Sequence, residues 1–168
     1  MATSVDALGS PFDSPASFTA LPRVGELTLS PDGNRLVASV AQVDHDGGKF
    51  VSALWGIDPN GVVAPRQLTR SSQGESSAAF LPDGSLLFTS TRPRTADVTT
   101  DDHAVGEKAG PEVASLWVLP ADGGDAVLVA HPPGGVTAVV TGRATPTVVV
   151  AAKSAPGART VEQDQEWW

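Results

Sequence analysis

The nearest approach to a serine nucleophile motif is Gly74-Glu75-Ser76-Ser77-Ala78. A G-x-S-x-G nucleophile works because a buried parallel strand runs into a sharp turn and a helix leaves it, exposing the hydroxyl. Here Ala78 stands where the second glycine would be, and the segment follows a polar loop and enters a strand. It reads as a loop leading into a sheet. The three histidines, His45, His103 and His131, lie in turn-rich stretches, and no pair has the i, i+4 spacing of a helical metal site. Asp44-His45-Asp46 gathers three metal-capable side chains but lacks the spaced oxygen ligands and closing glutamate of a cation loop. It reads as a solvated turn. Asp101-Asp102-His103 sits in a long polar insertion, Thr91 to Glu112, with Asp97, Glu107 and Glu112. Loose packing is expected there, and long loops are also where a substrate path or a partner surface is commonly built. Gly47-Gly48, Gly123-Gly124 and Gly134-Gly135 fall at turns with no helix after them, so none is a phosphate cradle. The residues therefore assign no catalytic group, no cofactor and no metal ligand.

The elements around these residues are short strands. In a chain of 168 residues, long enough for one domain with a core, 17 glycines and 14 prolines favour many strands joined by turns over long helices. A formal net charge of −8 with no basic stripe argues against a nucleic-acid partner. The absence of cysteine excludes disulfides, thiolate metal sites and a thiol nucleophile. No run approaches 18 apolar residues, and the first residues have neither the basic start nor the apolar stretch of a secretory signal. A cytoplasmic location is the expectation. Arg outnumbers Lys, and Ala, Gly and Val are abundant, a composition that suits a bacterial protein.

The organising unit is Leu27-Thr28-Leu29-Ser30-Pro31-Asp32-Gly33-Asn34-Arg35-Leu36-Val37-Ala38-Ser39-Val40. Pro31 presets the first corner of a turn, Asp32 tolerates the second, and Gly33 takes the positive φ that closes it. Apolar residues on both sides make a β-hairpin. The unit returns as Ala78-Ala79-Phe80-Leu81-Pro82-Asp83-Gly84-Ser85-Leu86-Leu87-Phe88-Thr89-Ser90, with Leu36-Val37 answered by Leu86-Leu87 or Leu87-Phe88 according to the turn alignment. A third strand, Phe50 to Ile57, is echoed by Ser115 to Leu119, with Trp55 and Trp117 in matching places and a packing role between repeats. Arg66-Gln67-Leu68-Thr69 is echoed by Ala126-Val127-Leu128-Val129. A third cycle starts with Val136 to Val140 and Thr147 to Ala152.

Four strands per cycle in the same order twice is the pattern of propeller blades. The expected fold is all-β, a partial β-propeller of about two four-stranded antiparallel blades plus the first hairpin of a third. Residues 1–16 are expected to form a mobile leader. Residues 17–152 form the propeller part, with blade 1 at about 24–70, blade 2 at about 76–130 and the start of blade 3 at about 135–152. Residues 153–168 read as a truncated tail, ending in the apolar pair Trp167-Trp168. A β-sandwich of similar strand number is the rival architecture. Open blades leave wet sheet faces and edges, so marginal stability, self-association or order only through a partner is expected.

Leu21-Pro22-Arg23-Val24-Gly25-Glu26-Leu27-Thr28-Leu29-Ser30-Pro31-Asp32-Gly33 resembles the opening of the propeller in prolyl oligopeptidase family serine peptidases, closest to the acylaminoacyl-peptidase and dipeptidyl-aminopeptidase-like members of bacteria. Ser115-Leu116-Trp117-Val118-Leu119-Pro120-Ala121-Asp122-Gly123-Gly124 and the acidic insertion before it fit the same group. Similar Ser-Pro-Asp-Gly hairpins occur in the propeller of the TolB translocation protein. The peptidase resemblance implies an N-terminal propeller that restricts access of short or N-acylated peptides to a C-terminal α/β-hydrolase domain. It covers only the first two and a half blades, and no position matches the family's nucleophile, aspartate or histidine. A fragment inactive by itself is thus implied, its peptide partners reached through a catalytic domain. The alternative is a non-enzymatic, TolB-like module for protein–protein interaction, and a degenerate remnant is a third.

Overall fold

A computed structural model of the chain describes residues 10, 12–93, 113–142 and 144–168. Strands β1 (Arg23–Leu29), β2 (Leu36–Val43), β3 (Phe50–Ile57) and β4 (Arg66–Gln67) form one antiparallel sheet in sequence order. Strands β5 (Glu75–Phe80), β6 (Leu86–Ser90), β7 (Ser115–Leu119) and β8 (Val127–Ala130) form a second sheet in the same order. A hairpin of β9 (Val136–Thr141) and β10 (Val148–Ala152) comes after it. Each sheet is filled by four consecutive strands, whereas a Greek-key sandwich passes strands between its sheets. The partial propeller is therefore the architecture, and the sandwich is not.

The turns explain the repeat. Gly33 has φ 75° and Gly84 has φ 83°, and each donates its N–H back to the turn's first carbonyl, Ser30 or Leu81. The outer closing bond is Ser30 N–H to Arg35 O in the first turn and Leu81 N–H to Ser85 O in the second. The second turn, Leu81 to Ser85, is thus one residue shorter than the first, Ser30 to Arg35. Leu29 faces Leu36 across the first hairpin, and Phe80 faces Leu86 across the second. Register therefore matches Leu36 with Leu86 and Val37 with Leu87, although the Pro-Asp-Gly triplets stand one position further apart. In the third hairpin Gly142 N–H closes on Thr147 O and Thr141 faces Val148, so Val149 takes the place held by Val37 and Leu87. Trp55 faces Ala38, and Trp117 faces Phe88, which puts the two tryptophans at equivalent positions.

Side-chain alternation gives every strand two faces. One face of the first sheet carries Val37 and Leu54, which pack on Phe80, Leu86, Phe88 and Trp117 of the second. The other face of the second sheet carries Leu87 and Leu116, which pack with Val136, Val139 and Val148 of the last hairpin. The core is thus two successive face-to-face seams, and burying each such side chain contributes about 1.5–3 kcal/mol.

Two short helices flank the strands. Ser14 caps a short helix, α1 (Pro15–Thr19), its hydroxyl accepting the N–H of Ser17, with Pro15 in the first turn, where its missing donor costs nothing. The stretch after Ala152 folds back through a second short helix, α2 (Val161–Gln165), capped by Thr160. Asp164 is buried and accepts the N–H of Ala155, and Ala155 and Val161 are buried beside it. Trp167 and Trp168 remain largely in solvent, 61% and 82% exposed.

Candidate functional site

A cleft of about 190 Å³ opens where β3 begins, β5 begins and β6 ends; Phe50, Ser52, Gln73, Glu75, Ser76 and Thr89 are among its lining residues. It lies between the two sheets at one end of the strands, and most of its side chains carry hydroxyl or amide groups. Arg23 lays its guanidinium over the Phe50 ring at 3.8 Å, covering one side of the rim.

Glu75 forms the floor. It is 2% exposed, and three donors converge on it: Thr69 Oγ1 at 2.7 Å, the Ser71 backbone N–H at 3.2 Å and Arg92 Nη2 at 2.6 Å. The Thr69 hydroxyl oxygen also accepts the N–H of Leu54 at 2.9 Å. Arg92 is held by more than its ion pair, since its guanidinium lies 5.0 Å from the Phe88 ring and 5.2 Å from the Trp117 ring. Ser90 completes the corner. Its hydroxyl donates to Gly74 O at 2.7 Å and accepts from Arg92 N–H at 3.2 Å, while its carbonyl accepts from Trp117 Nε1 at 3.3 Å. A buried carboxylate is tolerable only when paired and hydrogen-bonded, and this one is both. The arrangement joins the end of one sheet to the start of the next and keeps the Glu75 carboxylate engaged within the protein.

Gly74 to Ala78, the stretch nearest a serine nucleophile motif, lies at this cleft. Ser76 Oγ is hydrogen-bonded to Thr89 Oγ1 at 3.0 Å, and Thr89 Oγ1 donates to Ser76 O at 3.1 Å. Among the described residues, no histidine is hydrogen-bonded to Ser76. Ser77 sits in a bulge where the β5–β6 register slips between Ser76 and Ala79, and it has φ 51°. The feature re-aims the inner strand and does not form the strand–turn–helix of a nucleophile elbow.

The two described histidines, His45 and His131, have separate partners. His45 pairs with its neighbour Asp46 at 3.3 Å, both fully in solvent, while Asp44 Oδ1 accepts the N–H of Gly48 and Lys49 and shapes the turn. His103 and the acidic insertion from 94 to 112 lie outside the described residues. His131 Nδ1 is 2.7 Å from Ser115 Oγ, a contact sequence spacing did not suggest. Ser115 is 2% exposed at the start of β7, so the pair anchors the segment after β8 and leaves no room for a substrate at the hydroxyl. Among the described residues no group of three or more His, Cys, Asp or Glu could hold a metal ion. No described helix is long and apolar enough to cross a membrane.

Glu75 and Arg92 were not legible as a pair. The signal available was register: Glu75 faces Ser90 across β5 and β6, which puts Arg92 just past the strand end within reach of the carboxylate.

No protein-family profile matches the chain, and no curated protein sequence matches it. Among solved structures, one assigned to TolB from Agrobacterium tumefaciens superposes with a TM-score of 0.53 at 16% identity, over 79% of this chain and 39% of that one. This chain therefore spans about two fifths of that structure's length, and at such identity the likeness concerns the fold alone. Two four-stranded antiparallel sheets followed by a hairpin, in the arrangement of a TolB-like propeller, make the chain a partial β-propeller.

Proposed function

We propose that this chain is a non-catalytic propeller unit of a serine peptidase acting on short or N-acylated peptides, where it would filter access to a separate hydrolase domain. The observation that carries the non-catalytic part is the state of its reactive groups. Ser76 is bonded to Thr89, Ser115 is enclosed against His131, and Glu75 is held by three donors. The peptidase part rests on the resemblance of residues 21–33 and 115–124 to that family's propeller. The test is hydrolysis of acylaminoacyl and aminoacyl reporter peptides. The 168-residue chain should show none, and the protein isolated from its source cell should have a mass several times 17.2 kDa and react with a serine-directed probe. Turnover by the pure chain, abolished by that probe, would overturn the reading.

A second reading is a non-enzymatic propeller module for protein–protein interaction, which the TolB-like fold suits. Sequencing the gene past the codon for residue 168 separates the two. Further Pro-Asp-Gly repeats and then G-x-S-x-G support the peptidase, whereas repeats alone support the interaction module.

A further inference from the structure

The chain has two asparagines, Asn34 and Asn60, and the fold sets them in opposite states. Asn34 is followed by Arg35, whose backbone N–H donates to the buried Ser30 hydroxyl at 2.9 Å. The Asn34 carboxamide donates to Asp32 Oδ2 at 3.2 Å, and the Arg35 guanidinium is bonded to Gly84 O in the next blade. A backbone nitrogen moving toward the Asn34 side chain would have to undo these contacts. Asn60 is followed by Gly61, in the exposed turn between β3 and β4. Gly61 has φ 70°, and no described atom lies within 4 Å of the place a Cβ would occupy. Without a side chain on that residue, its nitrogen can approach the asparagine carbonyl carbon unhindered.

One residue restrains the turn. Asp58 O accepts the Gly61 N–H at 3.0 Å, Asp58 Oδ1 accepts the Asn60 N–H at 2.9 Å, and Asp58 Oδ2 accepts the N–H groups of Val62 and Val63, each at 2.9 Å. The Asn60 side chain bonds to the same carboxylate. Bonds at an exposed loop tip open by local fraying, without unfolding of the sheet.

We propose that Asn60 is a site of spontaneous deamidation, with the clasp of Asp58 setting its rate. The Gly61 nitrogen gives its proton to water and attacks Asn60 Cγ. A C–N bond forms, the carboxamide nitrogen leaves as ammonia, and a five-membered succinimide results. Water opens that ring at either carbonyl, leaving aspartate or isoaspartate at position 60. The isoaspartate product adds a backbone methylene between Asp58 and Val62 and a second carboxylate beside the first. Val62 and Val63 then lose their shared acceptor, and the short strand β4 loses the turn that returns it to β3. The site lies within one complete blade, so the inference is independent of whether the protein belongs to a peptidase.

The test incubates the full-length protein in mildly alkaline buffer beside the free peptide Asp-Pro-Asn-Gly-Val-Val, with peptide mapping by mass spectrometry. The fragment holding Asn60 should gain about 1 Da as water replaces ammonia, several-fold more slowly than the free peptide, while the fragment holding Asn34 stays unchanged. Asp58→Ala should approach the rate of the free peptide. Asp58→Asn, which keeps one acceptor oxygen, should fall between them, and it carries the comparison should Asp58→Ala lose its β-sheet circular dichroism. Asn60→Gln should abolish the gain. A mass at Asn60 that stays unchanged after the peptide has fully converted overturns the proposal. Equal rates in the wild type and both Asp58 variants also overturn it, since the clasp would then set nothing.

Discussion

Arg35 of the first blade donates from Nη1 to the carbonyl of Gly84 in the second blade's turn, 2.9 Å away, with its guanidinium 5.3 Å from the Phe80 ring. The residue that ends one Pro-Asp-Gly turn thus holds the next such turn in place. Arg35→Ala should lower stability by about 1–2 kcal/mol, read as a shifted urea midpoint. Arg35→Lys should restore only part of it, because a single ammonium cannot reach the carbonyl and keep a planar face toward Phe80.

Removing one member of the Glu75–Arg92 pair leaves the other charged without its partner. Glu75 has no exposure to fall back on. Arg92→Ala should therefore cost about 3–5 kcal/mol, whereas the double variant Glu75→Leu/Arg92→Leu should recover much of that loss. A double-mutant cycle by denaturant unfolding measures it, and equal losses in the single and double variants would contradict the account.

The two equivalent tryptophans should respond very differently. Trp117 fills the seam beside Phe88 and Leu54, so Trp117→Ala should cost about 3–5 kcal/mol through the cavity it leaves. Trp55→Ala, on a half-covered face, should cost about 1 kcal/mol in a dilute sample. Thermal or urea unfolding of both variants at low micromolar concentration compares them.

Ser77 holds a positive φ of 51°, a region where a side chain crowds the following carbonyl. Ser77→Gly should raise stability by about 1 kcal/mol, measurable as a higher urea midpoint. The reverse holds at Gly74, which has φ 85° and whose added Cβ would lie 3.3 Å from the Ser52 backbone nitrogen. Gly74→Ala should destabilise.

Two turn aspartates have pKa values lowered from the ordinary 3.8. The Ser30 hydroxyl and then the Asn34 backbone N–H stabilise the Asp32 carboxylate, and the N–H groups of Asn60, Val63 and Val62 stabilise that of Asp58. A carboxylate with a depressed folded value adds stability above 3.8 and loses it as pH falls through the lower folded value. Urea midpoints should therefore drop on acidification below about pH 4, and Asp58→Asn should flatten that drop without changing the fold.

The strands were legible because alternation and turn chemistry agree along most of the chain. Phe50 to Ile57 and Ser115 to Leu119 are strands over the very residues their apolar pattern marks. The register between repeats was not legible, since the one-residue difference between the Ser30–Arg35 and Leu81–Ser85 turns shows only in their closing hydrogen bonds. Nor does a repeat reveal which copy is covered: Trp55 and Trp117 have the same local setting, and burial depends on whether a sheet stands in front. Of the cleft, Ser76 and Ser77 were visible as part of Gly74 to Ala78, but the bulge was not, and Glu75 reads like any polar residue at a strand start until Thr69 and Arg92 are brought to it by tertiary packing. Asp164 escaped notice for the same reason, its partner Ala155 being fixed by the fold-back of the tail.

One hydroxyl governs how the chain comes apart. Thr69 Oγ1 accepts the Leu54 amide from the centre of the first sheet and donates to Glu75 at the head of the second. The Leu54 proton therefore cannot meet solvent without disturbing the second sheet's buried ion pair, so the two sheets should open as a single cooperative unit under native-state hydrogen exchange. Repeat proteins commonly fray one module at a time from their ends. Here the β9–β10 hairpin can exchange early, while the first two modules share one protection free energy.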